Sequence, residues 1–287
     1  MNSSQFKKNE IKKLSAIVGF KPDFIGQLTN NIDNYYNEWV EVKTDKKTGK
    51  PKTFKDGTIK KRVIRPSKDE LKIIQTRIKN RILAKIELPK NVHGGVKKRS
   101  NISNAKPHQG NKYQFTTDLQ DFYPSISSKQ VYNTFLELKY SPHFSHLVTK
   151  LTTWKHELPQ GTPTSTHIAN LVFLKTDIAL IELCNKFGIT YTRYVDDLTF
   201  SSQKDFKQHL DTILEIVKSS GFNISYRKTQ YCGNQTITGI NVFIHKIDAP
   251  ENIIKKAEQE KTSNSEMKPF TNYLNNIRKT NKQKVKR

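Results

Sequence analysis

The sequence has 287 residues, which is enough for one large domain or for two to three packed subdomains. Its 50 Lys and Arg residues against 26 Asp and Glu residues give a formal net charge of +24, which predicts a polyanionic partner, with nucleic acid as the first expectation. The two cysteines lack metal-ligand spacing and indicate a reducing cytoplasm rather than a disulfide framework or a zinc site. No apolar run of about 18 residues occurs, so we expect no membrane anchor.

The first part of the chain combines helical patterns with a lysine-rich segment. Residues 6–40 fit two or three short amphipathic helices. The basic residues 43–65 predict a β-hairpin, with its turn either at Thr48–Pro51 or at Lys55–Gly57. Ser67 is the predicted N-cap of a helix that continues to about residue 86.

The rest of the chain mixes strands and helices, so the predicted fold class is α+β. Residues 92–110 are rich in Gly, Ser, Asn and His, which is typical of a loop. The other predicted elements are a strand at 115–119, helices at 127–139, 166–187 and 204–220, strands at 189–194, 198–201, 223–226 and 237–244, and a basic helical tail from 250.

Three aspartates lie where these predicted strands end. Asp196 and Asp197 occupy the tip of the hairpin predicted at 189–201, and Asp118 is near the end of the strand at 115–119. Transfer of a nucleotidyl group needs two divalent cations about 4 Å apart, and Mg²⁺ prefers carboxylate oxygens. An Asp-Asp pair is also a common turn former. From these residues alone, a metal site and a simple turn both remain open.

Three motifs around these aspartates resemble the catalytic boxes of reverse transcriptases, in the same order. The motifs are TDLQDFYPSI at 117–126, LPQGTPTS at 158–165 and YTRYVDDLTFS at 191–201. The resemblance extends over about 61–242 and implies a right-hand polymerase fold, with fingers, a palm built on an antiparallel sheet packed on helices, and a short helical thumb. It divides the chain into an N-terminal helical region at 1–42, fingers with the basic hairpin at 43–112, a palm at 113–235 with a fingers-like segment at about 135–165, and a primer-grip region with a basic thumb at 236–287.

The same resemblance assigns the catalytic and metal-binding residues. Asp118 and Asp196 would be the shared ligands of two Mg²⁺ ions, or of Mn²⁺, and Asp197 would be a supporting carboxylate. The backbone carbonyl of Leu119 would be a further ligand. Lys228 resembles the lysine of the fourth motif, which could protonate the leaving pyrophosphate. In so basic a chain, Lys228 could instead be an ordinary solvated lysine.

The resemblance also places a set of residues around the incoming dNTP. Tyr123 would lie under the sugar and exclude a ribose 2′-hydroxyl, or it would be a core aromatic beside Phe122. Gln160 would line the nucleotide pocket or stabilise a turn. Arg62 or Arg65 would clamp the triphosphate, because a guanidinium matches phosphate oxygens, and the sequence leaves open which one does so. The full predicted nucleotide-binding set is Arg62, Arg65, Asp121, Phe122, Tyr123, Gln160 and Lys228.

Two further motifs resemble signatures of the retron enzymes within this family. The sequence NAKPH at 104–108 resembles their Asn-Ala-x-x-His signature, and Thr238-Gly239 after an isoleucine resembles their Val-Thr-Gly motif. Val195 differs from the alanine that is usual there, and the thumb is short. The residues implied in RNA binding are Asn104, Ala105, His108, Thr238 and Gly239.

Membership of the retron group would imply a specific product and specific partners. The enzyme would bind a structured non-coding RNA, prime from an RNA 2′-hydroxyl and make branched multicopy single-stranded DNA in the bacterial cytoplasm. It would act in antiphage defence with an effector protein and without a membrane. The alternatives are a non-retron defence reverse transcriptase and a catalytically silent RNA-binding scaffold.

Overall fold

A computed structural model describes residues 3–45, 49–54, 56–233, 235–262 and 266–282. The helices are α1 (Ser3–Val18), α2 (Pro22–Asn30), α3 (Asp69–Arg81), α4 (Asn101–Ala105), α5 (Phe122–Ser125), α6 (Ser128–Glu137), α7 (Pro142–Thr152), α8 (Ser165–Val172), α9 (Leu174–Phe187), α10 (Leu210–Ser219), α11 (Glu251–Thr262) and α12 (Pro269–Lys279). The strands are β1 (Trp39–Val42), β2 (Lys61–Ile64), β3 (Tyr113–Asp118), β4 (Thr190–Tyr194), β5 (Asp197–Ser202), β6 (Gln230–Cys232), β7 (Gln235–Ile237), β8 (Ile240–Val242) and β9 (Ile247–Asp248). The predicted α+β class is confirmed.

The chain forms two compact units, each built from two separate stretches. Unit 1 comprises Met1–Glu87 and Asp121–Val172, and unit 2 comprises Leu88–Gln120 and Phe173–Arg287. The fourfold division into helical region, fingers, palm and thumb stays a prediction. Within the described ranges, no helix combines the length and the apolar character needed to cross a membrane.

Unit 1 is mostly helical, and its core lies where α1, α3 and α7 pack together. The buried side chains there recur at helical spacing, so each helix turns one apolar face inward. They include Leu14, Val18, Leu71, Ile74, Ile78, Val148 and Leu151. The helix predicted at 127–139 is confirmed as α6, which begins after a capping box between Ser127 and Gln130.

The basic hairpin is confirmed, but it begins earlier than predicted. Residues 39–42, which we expected to be near the end of a helical region, form β1 and pair antiparallel with β2. Two antiparallel bridges, Thr44↔Pro51 and Thr53↔Ile59, lie at the two predicted turns. Thr48 and Lys55, named in those two turns, lie outside the described residues.

The predicted start and end of helix α3 were wrong. Lys68, not Ser67, is the N-cap, because the Ser67 hydroxyl donates to Gln75 Oε1 at 2.6 Å instead of capping the helix. The helix ends at Arg81 rather than near residue 86, and a 3₁₀ turn follows at Leu83–Lys85. A buried hydrogen bond between side chains therefore decided the helix start in place of local capping preference.

Unit 2 contains a four-stranded antiparallel sheet with strand order β4-β5-β3-β6. The hairpin predicted around Asp196 is confirmed as β4 and β5. A second sheet, β7-β8-β9, packs with α11 and α12 around a separate apolar cluster. The predicted helical tail is confirmed as the two helices α11 and α12, and residues 263–265 and 283–287 of the tail lie outside the described part.

Several predictions in unit 2 were wrong because tertiary contacts and turns override local patterns. Residues 101–105 of the predicted loop form α4, capped by Ser100 and held in the apolar cluster through Ala105. The helix predicted at 166–187 divides at Phe173, whose buried ring contacts the Arg193 guanidinium. The run 237–244 reverses at Thr238, and the run 223–226 makes only one bridge, through Ile224. The helix predicted from 204 starts with a 3₁₀ turn and becomes α-helical at Leu210, and β6 and β9 were not predicted. In unit 1, α5 and α7 were not predicted either.

Candidate active site

The three predicted carboxylates meet through strand register in unit 2. Asp118 is the last residue of β3 and is the cross-strand partner of Asp197, the first residue of β5. Tyr194 of β4 also pairs with Asp197, which leaves Val195 and Asp196 as a two-residue turn. The Leu119 N–H donates to the Asp196 carbonyl at 2.9 Å and ties the turn to the end of β3.

Negative charge accumulates at this end of the sheet. Burial, followed by the charges of Asp196 and Asp118, raises the pKa of Asp197 to about 7. The Lys228 ammonium donates to Asp118 Oδ2 at 2.5 Å. Burial opposes the charged form of Lys228, but the hydrogen bond and charge of Asp118 outweigh it and raise the pKa of the lysine. Lys228 is therefore a protonated donor beside the carboxylates.

The donor chemistry at this site suits a hard divalent cation. Asp196 and Asp118 lie close enough to Asp197 for their charges to raise its pKa, so the three carboxylates are an oxygen-rich, negative set of the type that Mg²⁺ or Mn²⁺ binds. Among the described residues, no three His, Cys, Asp or Glu side chains are already arranged as a metal site. A cation bound to Asp118 would have to compete with Lys228 for the Oδ2 atom. The Leu119 carbonyl as a ligand stays a prediction.

The turn that carries Asp196 has an unusual backbone. Val195 has φ +59°, a conformation that is a genuine outlier for a β-branched residue. In a two-residue hairpin turn, glycine is the favoured residue for a positive φ at this first position. A Cβ atom on Gly94 would lie 2.4 Å from Val195 Cγ2 and 2.5 Å from its backbone nitrogen. Gly94 is thus needed for close packing against the turn, a role that sequence reasoning missed although the Gly-Gly pair at 94–95 signals it.

Arg193 is a second residue that sequence reasoning missed. Its side chain is fully buried and donates to Asp177 at 2.9 and 2.6 Å and to the Val195 carbonyl at 2.8 Å. Burial alone would lower the pKa of Arg193, but the charge and hydrogen bonds of Asp177 outweigh it and raise the pKa. Tyr191 donates a further hydrogen bond to Asp177 at 2.8 Å. The available signal was a lone charged residue within an otherwise buried strand.

Unit 1 holds a cleft of about 510 Å³ that contains predicted nucleotide-binding residues. Tyr123, Gln160 and Arg62 all line it. The Tyr123 hydroxyl lies 2.9 Å from the Thr166 hydroxyl, which fixes the ring at the wall of the cleft. Arg62 forms an exposed ion pair with Glu41 at 2.7 Å, which is weak enough to exchange for a phosphate.

Of the other predicted nucleotide-binding residues, Arg65, Asp121 and Phe122 belong to unit 1, whereas Lys228 belongs to unit 2 and lies beside Asp118. Arg65 donates to Glu38 at 2.5 Å and forms a second, shorter pair with Glu157, so two carboxylates occupy its guanidinium. Phe122 is buried, with its ring 5.9 Å from that of Tyr123. Asp121 precedes α5 with φ +47°. Of the two arginines, Arg62 is the one that lines the cleft.

The residues predicted to bind RNA are divided between the interior and the surface of unit 2. Asn104, Ala105 and His108 are all fully buried, which argues against direct contact with RNA. His108 lies 2.6 Å from the Ser201 hydroxyl and 2.7 Å from the Thr192 hydroxyl. Asn104 Nδ2 donates to the Thr238 hydroxyl at 3.3 Å, and Gly239 beside it is exposed. Asn104 therefore supports the turn at Thr238, and RNA binding by these residues stays a prediction.

Residues 46–264 match the reverse transcriptase (RNA-dependent DNA polymerase) family. The chain belongs to this family. Its right-hand polymerase fold is that of the family, whose members generally use divalent metal ions.

Relatives of this reverse transcriptase include retron enzymes, which confirms the predicted resemblance. The retron Ec86 reverse transcriptase of Escherichia coli is 34% identical over 64% of this chain and 59% of that protein. The retron Se72 reverse transcriptase of Salmonella heidelberg is 34% identical over 74% of this chain and 54% of that protein. The chain thus spans little more than half the length of these relatives.

Solved structures give weaker likenesses. A telomerase from Candida albicans in complex with a TWJ fragment of telomeric RNA gives a TM-score of 0.45 at 12% identity, over 63% of this chain and 37% of that one. A TM-score at this level does not establish a shared fold.

Proposed function

We propose that this reverse transcriptase is an RNA-directed DNA polymerase that uses the carboxylates of Asp118, Asp196 and Asp197. The observation that carries the proposal is the β3–β5 register, which pairs Asp118 with Asp197 beside the turn of Asp196. A pure RNA-binding scaffold has no need for three carboxylates that repel one another. Bound cations would relieve the repulsion that the charges of Asp196 and Asp118 exert on Asp197.

The residues of unit 2 would divide the chemistry among them. Asp118 and Asp196 would hold two Mg²⁺ or Mn²⁺ ions, with Asp197 as the supporting carboxylate, and the ions would stabilise charge on the attacking and leaving oxygens. Lys228 is protonated and hydrogen-bonded within the site, so it would donate a proton to the leaving pyrophosphate. Arg193 holds the carbonyl of Val195 and thereby orients the turn next to Asp196.

The cleft of unit 1 would bind the incoming dNTP. Tyr123 is anchored by its hydrogen bond to Thr166, so its ring would stay in place and collide with a ribose 2′-hydroxyl. Arg62 would exchange Glu41 for the triphosphate, and Gln160 would line the same pocket. The ring of Phe122 is buried, so Phe122 would support this region rather than contact the nucleotide, and Asp121 beside it would have the same supporting role.

We further propose the retron activity, in which a structured RNA serves as template and primer. The enzyme would extend an RNA 2′-hydroxyl and make branched multicopy single-stranded DNA, for antiphage defence with an effector protein. Support comes from the similarity to retron reverse transcriptases and from the Thr238–Gly239 turn, which Asn101 and Asn104 hold through hydrogen bonds to Thr238. RNA is read through shape, phosphates and 2′-hydroxyls, which suits the last ten residues, six of which are Lys or Arg.

Primer extension on a poly(rA)–oligo(dT) substrate with dNTPs and Mg²⁺ tests the polymerase activity. Wild-type protein is expected to extend the primer, and D196N to fall to background, because the amide cannot replace the carboxylate as a ligand. D211N, which changes an exposed aspartate of the same unit, is the matched control and is expected to keep wild-type activity. Equal activity of D196N and D211N would refute the assignment.

Sequencing of the nucleic acid that co-purifies with the protein tests the retron step. Samples are compared with and without RNase and debranching treatment. DNA joined to RNA through a 2′–5′ linkage supports the retron activity, whereas unbranched DNA indicates another defence reverse transcriptase. RNA without DNA, even after addition of dNTPs and Mg²⁺, indicates a catalytically silent scaffold.

A further inference from the structure

A second cleft in unit 1, of about 710 Å³, is lined by a basic and aromatic set of side chains. His146, Thr149 and Lys150 face it from α7, at spacings that place them on one side of a helix. Lys129 and Tyr132 face it from α6, and Lys155 from the turn after α7. None of the predicted catalytic, nucleotide-binding or RNA-binding residues lines it. We propose that this cleft binds single-stranded RNA, with its lysines on the phosphates and a base stacked on Tyr132.

The charges of the cleft are available to a phosphate. Lys129 and Lys150 are exposed and form no ion pair with the described part of the chain. Lys155 contacts Glu38 at 3.2 Å, with half of the lysine side chain exposed, and a surface pair of this kind is easily exchanged. Asp33, an acidic residue of the lining, accepts a hydrogen bond from the Trp154 indole. The net charge of the side chains that line the cleft is therefore positive, as binding of a polyanion requires.

Thr149 gives an independent indication of a ligand. Its side chain lines the cleft and is 7% exposed, yet its buried hydroxyl has no hydrogen-bond partner. Buried polar groups are nearly always paired in folded proteins, so an unpaired hydroxyl on a residue that lines the cleft indicates a partner that is not part of the protein. Between lysines, a phosphate oxygen or a ribose hydroxyl is the partner of matching chemistry.

The turn at the rim of the cleft is kept in an unfavourable backbone conformation. Lys155 and His156 have φ +50° and +65°, and the flanking Trp154 and Glu157 form a bridge, so the two residues make a two-residue hairpin turn. Asn-Gly is the favoured sequence for a turn with two positive φ angles. Lysine and histidine at these positions therefore provide side chains to the cleft at the expense of turn stability.

Single-stranded RNA fits these observations better than a rigid duplex does. Tyr132 is half-buried and lines the cleft, so part of its surface is open to a base. Binding of a single strand combines such stacking with a positively charged groove that follows the phosphates. The proposal adds an RNA-contacting surface to the proposed polymerase, but it does not depend on polymerisation.

Fluorescence anisotropy with a fluorescein-labelled oligo(U) and the full chain tests the lysines, without dNTPs and without Mg²⁺. K129Q/K150Q is expected to weaken binding by about tenfold. The negative slope of log affinity against log salt concentration should become shallower by about 1.4, which is about 0.7 for each lost phosphate contact. The matched control K72Q/K139Q removes two exposed lysines of unit 1 outside the cleft and is expected to change binding little. Equal losses in the two variants, or no loss in K129Q/K150Q, would overturn the proposal. Because this assay measures RNA binding without polymerisation, its result is independent of whether the protein is an active polymerase.

A second pair of variants separates binding from stability. K155N/H156G introduces the favoured turn sequence, so its melting temperature is expected to stay equal or rise while RNA affinity falls severalfold. K139N is the control, because Lys139 also has a positive φ, of +66°, and lies outside the cleft. It is expected to gain stability without losing RNA affinity. Wild-type affinity in a stable K155N/H156G protein would contradict the assignment.

The stacked base is tested with Y132L and two polyanions. Affinity for oligo(U) is expected to fall by about fivefold or more, in line with stacking on one aromatic ring. Affinity for heparin, which has charge but no bases, is expected to stay unchanged. Equal losses for both polyanions, or no loss for oligo(U), would refute stacking on Tyr132.

Discussion

The buried ion pair between Arg193 and Asp177 allows a quantitative test of how the catalytic turn is held. Neither side chain is exposed, and the pair is bidentate, at 2.9 and 2.6 Å. The Arg193 guanidinium also donates to the Val195 carbonyl in the turn. The relevant changes are D177N, R193M and the double variant, because asparagine keeps the shape of Asp177 and methionine keeps much of the volume of Arg193.

The expected magnitudes follow from burial. Removal of one member of a buried pair leaves the other charge without compensation, which costs about 3–5 kcal/mol of unfolding free energy. D177N and R193M should each lose about that much. The double variant removes both charges, so its loss should be smaller than the sum of the single losses by about 2 kcal/mol or more.

Urea unfolding followed by far-UV circular dichroism measures these free energies. Tryptophan fluorescence is unsuitable, because Trp39 and Trp154 both belong to unit 1. Primer extension provides the second readout, and the double variant is expected to regain stability without regaining activity, because the Val195 carbonyl still lacks its donor. Additive losses, or a loss below about 1 kcal/mol for D177N, would refute the ion-pair reasoning.

Three further predictions follow from close packing, burial and the nucleotide cleft. Replacement of Gly94 by Ala forces a Cβ atom into Val195, so G94A should lose about 1–3 kcal/mol of unfolding free energy in urea. The control is G26A, which adds a Cβ atom in the interior of α2 with no other atom within 4 Å and should gain about 0.5–1 kcal/mol. An unchanged unfolding free energy in G94A would contradict the contact. Burial, followed by the charge of His93, lowers the pKa of His108 to about 3, while the unfolded value is about 6.5. As the pH falls, the unfolded state binds the proton first, so the contribution of His108 to stability is fully present above pH 6.5 and is lost towards pH 3. The unfolding free energy of H108N should therefore fall less steeply than that of the wild type between pH 7.5 and 4. Parallel curves for the two proteins would refute this role of His108. Y123A should reduce the preference for dNTPs over NTPs by roughly tenfold to a hundredfold in kcat/KM, and an unchanged ratio would exclude Tyr123 as the ring that rejects the 2′-hydroxyl.

The core of the active site could be predicted from the sequence because local patterns determine it. The β-branched and aromatic residues on either side of Val195-Asp196-Asp197 predict a hairpin, and the hairpin is present. Strand alternation then decides which neighbouring side chains share a face. The cross-strand pairing of Asp118 with Asp197 is not a local property, and only the order of the motifs indicated it.

The supporting contacts could not be predicted, because they depend on distant residues. Ser67 has the character of an N-cap, yet its hydroxyl bonds to Gln75 within the core of unit 1. His108 has the character of a polar loop residue, yet two hydroxyls from the four-stranded sheet enclose it. Arg193 would be read as an exposed strand residue without knowledge of Asp177. In each case the partner lies on another element, and the hydrogen bond to it determines whether the side chain is exposed or buried.

The strand order of unit 2 also determines when the enzyme can become active during its synthesis. β3 lies between β5 and β6, both of which follow it by a long stretch of chain. Pairing across such separations has a loop-closure penalty that local helices do not face, and it is usually slow. Asp118 therefore leaves the ribosome long before Asp197, the partner that completes the carboxylate set. A nascent chain that ends before β5 cannot assemble the site, so catalytic competence arrives as a late and cooperative step in folding.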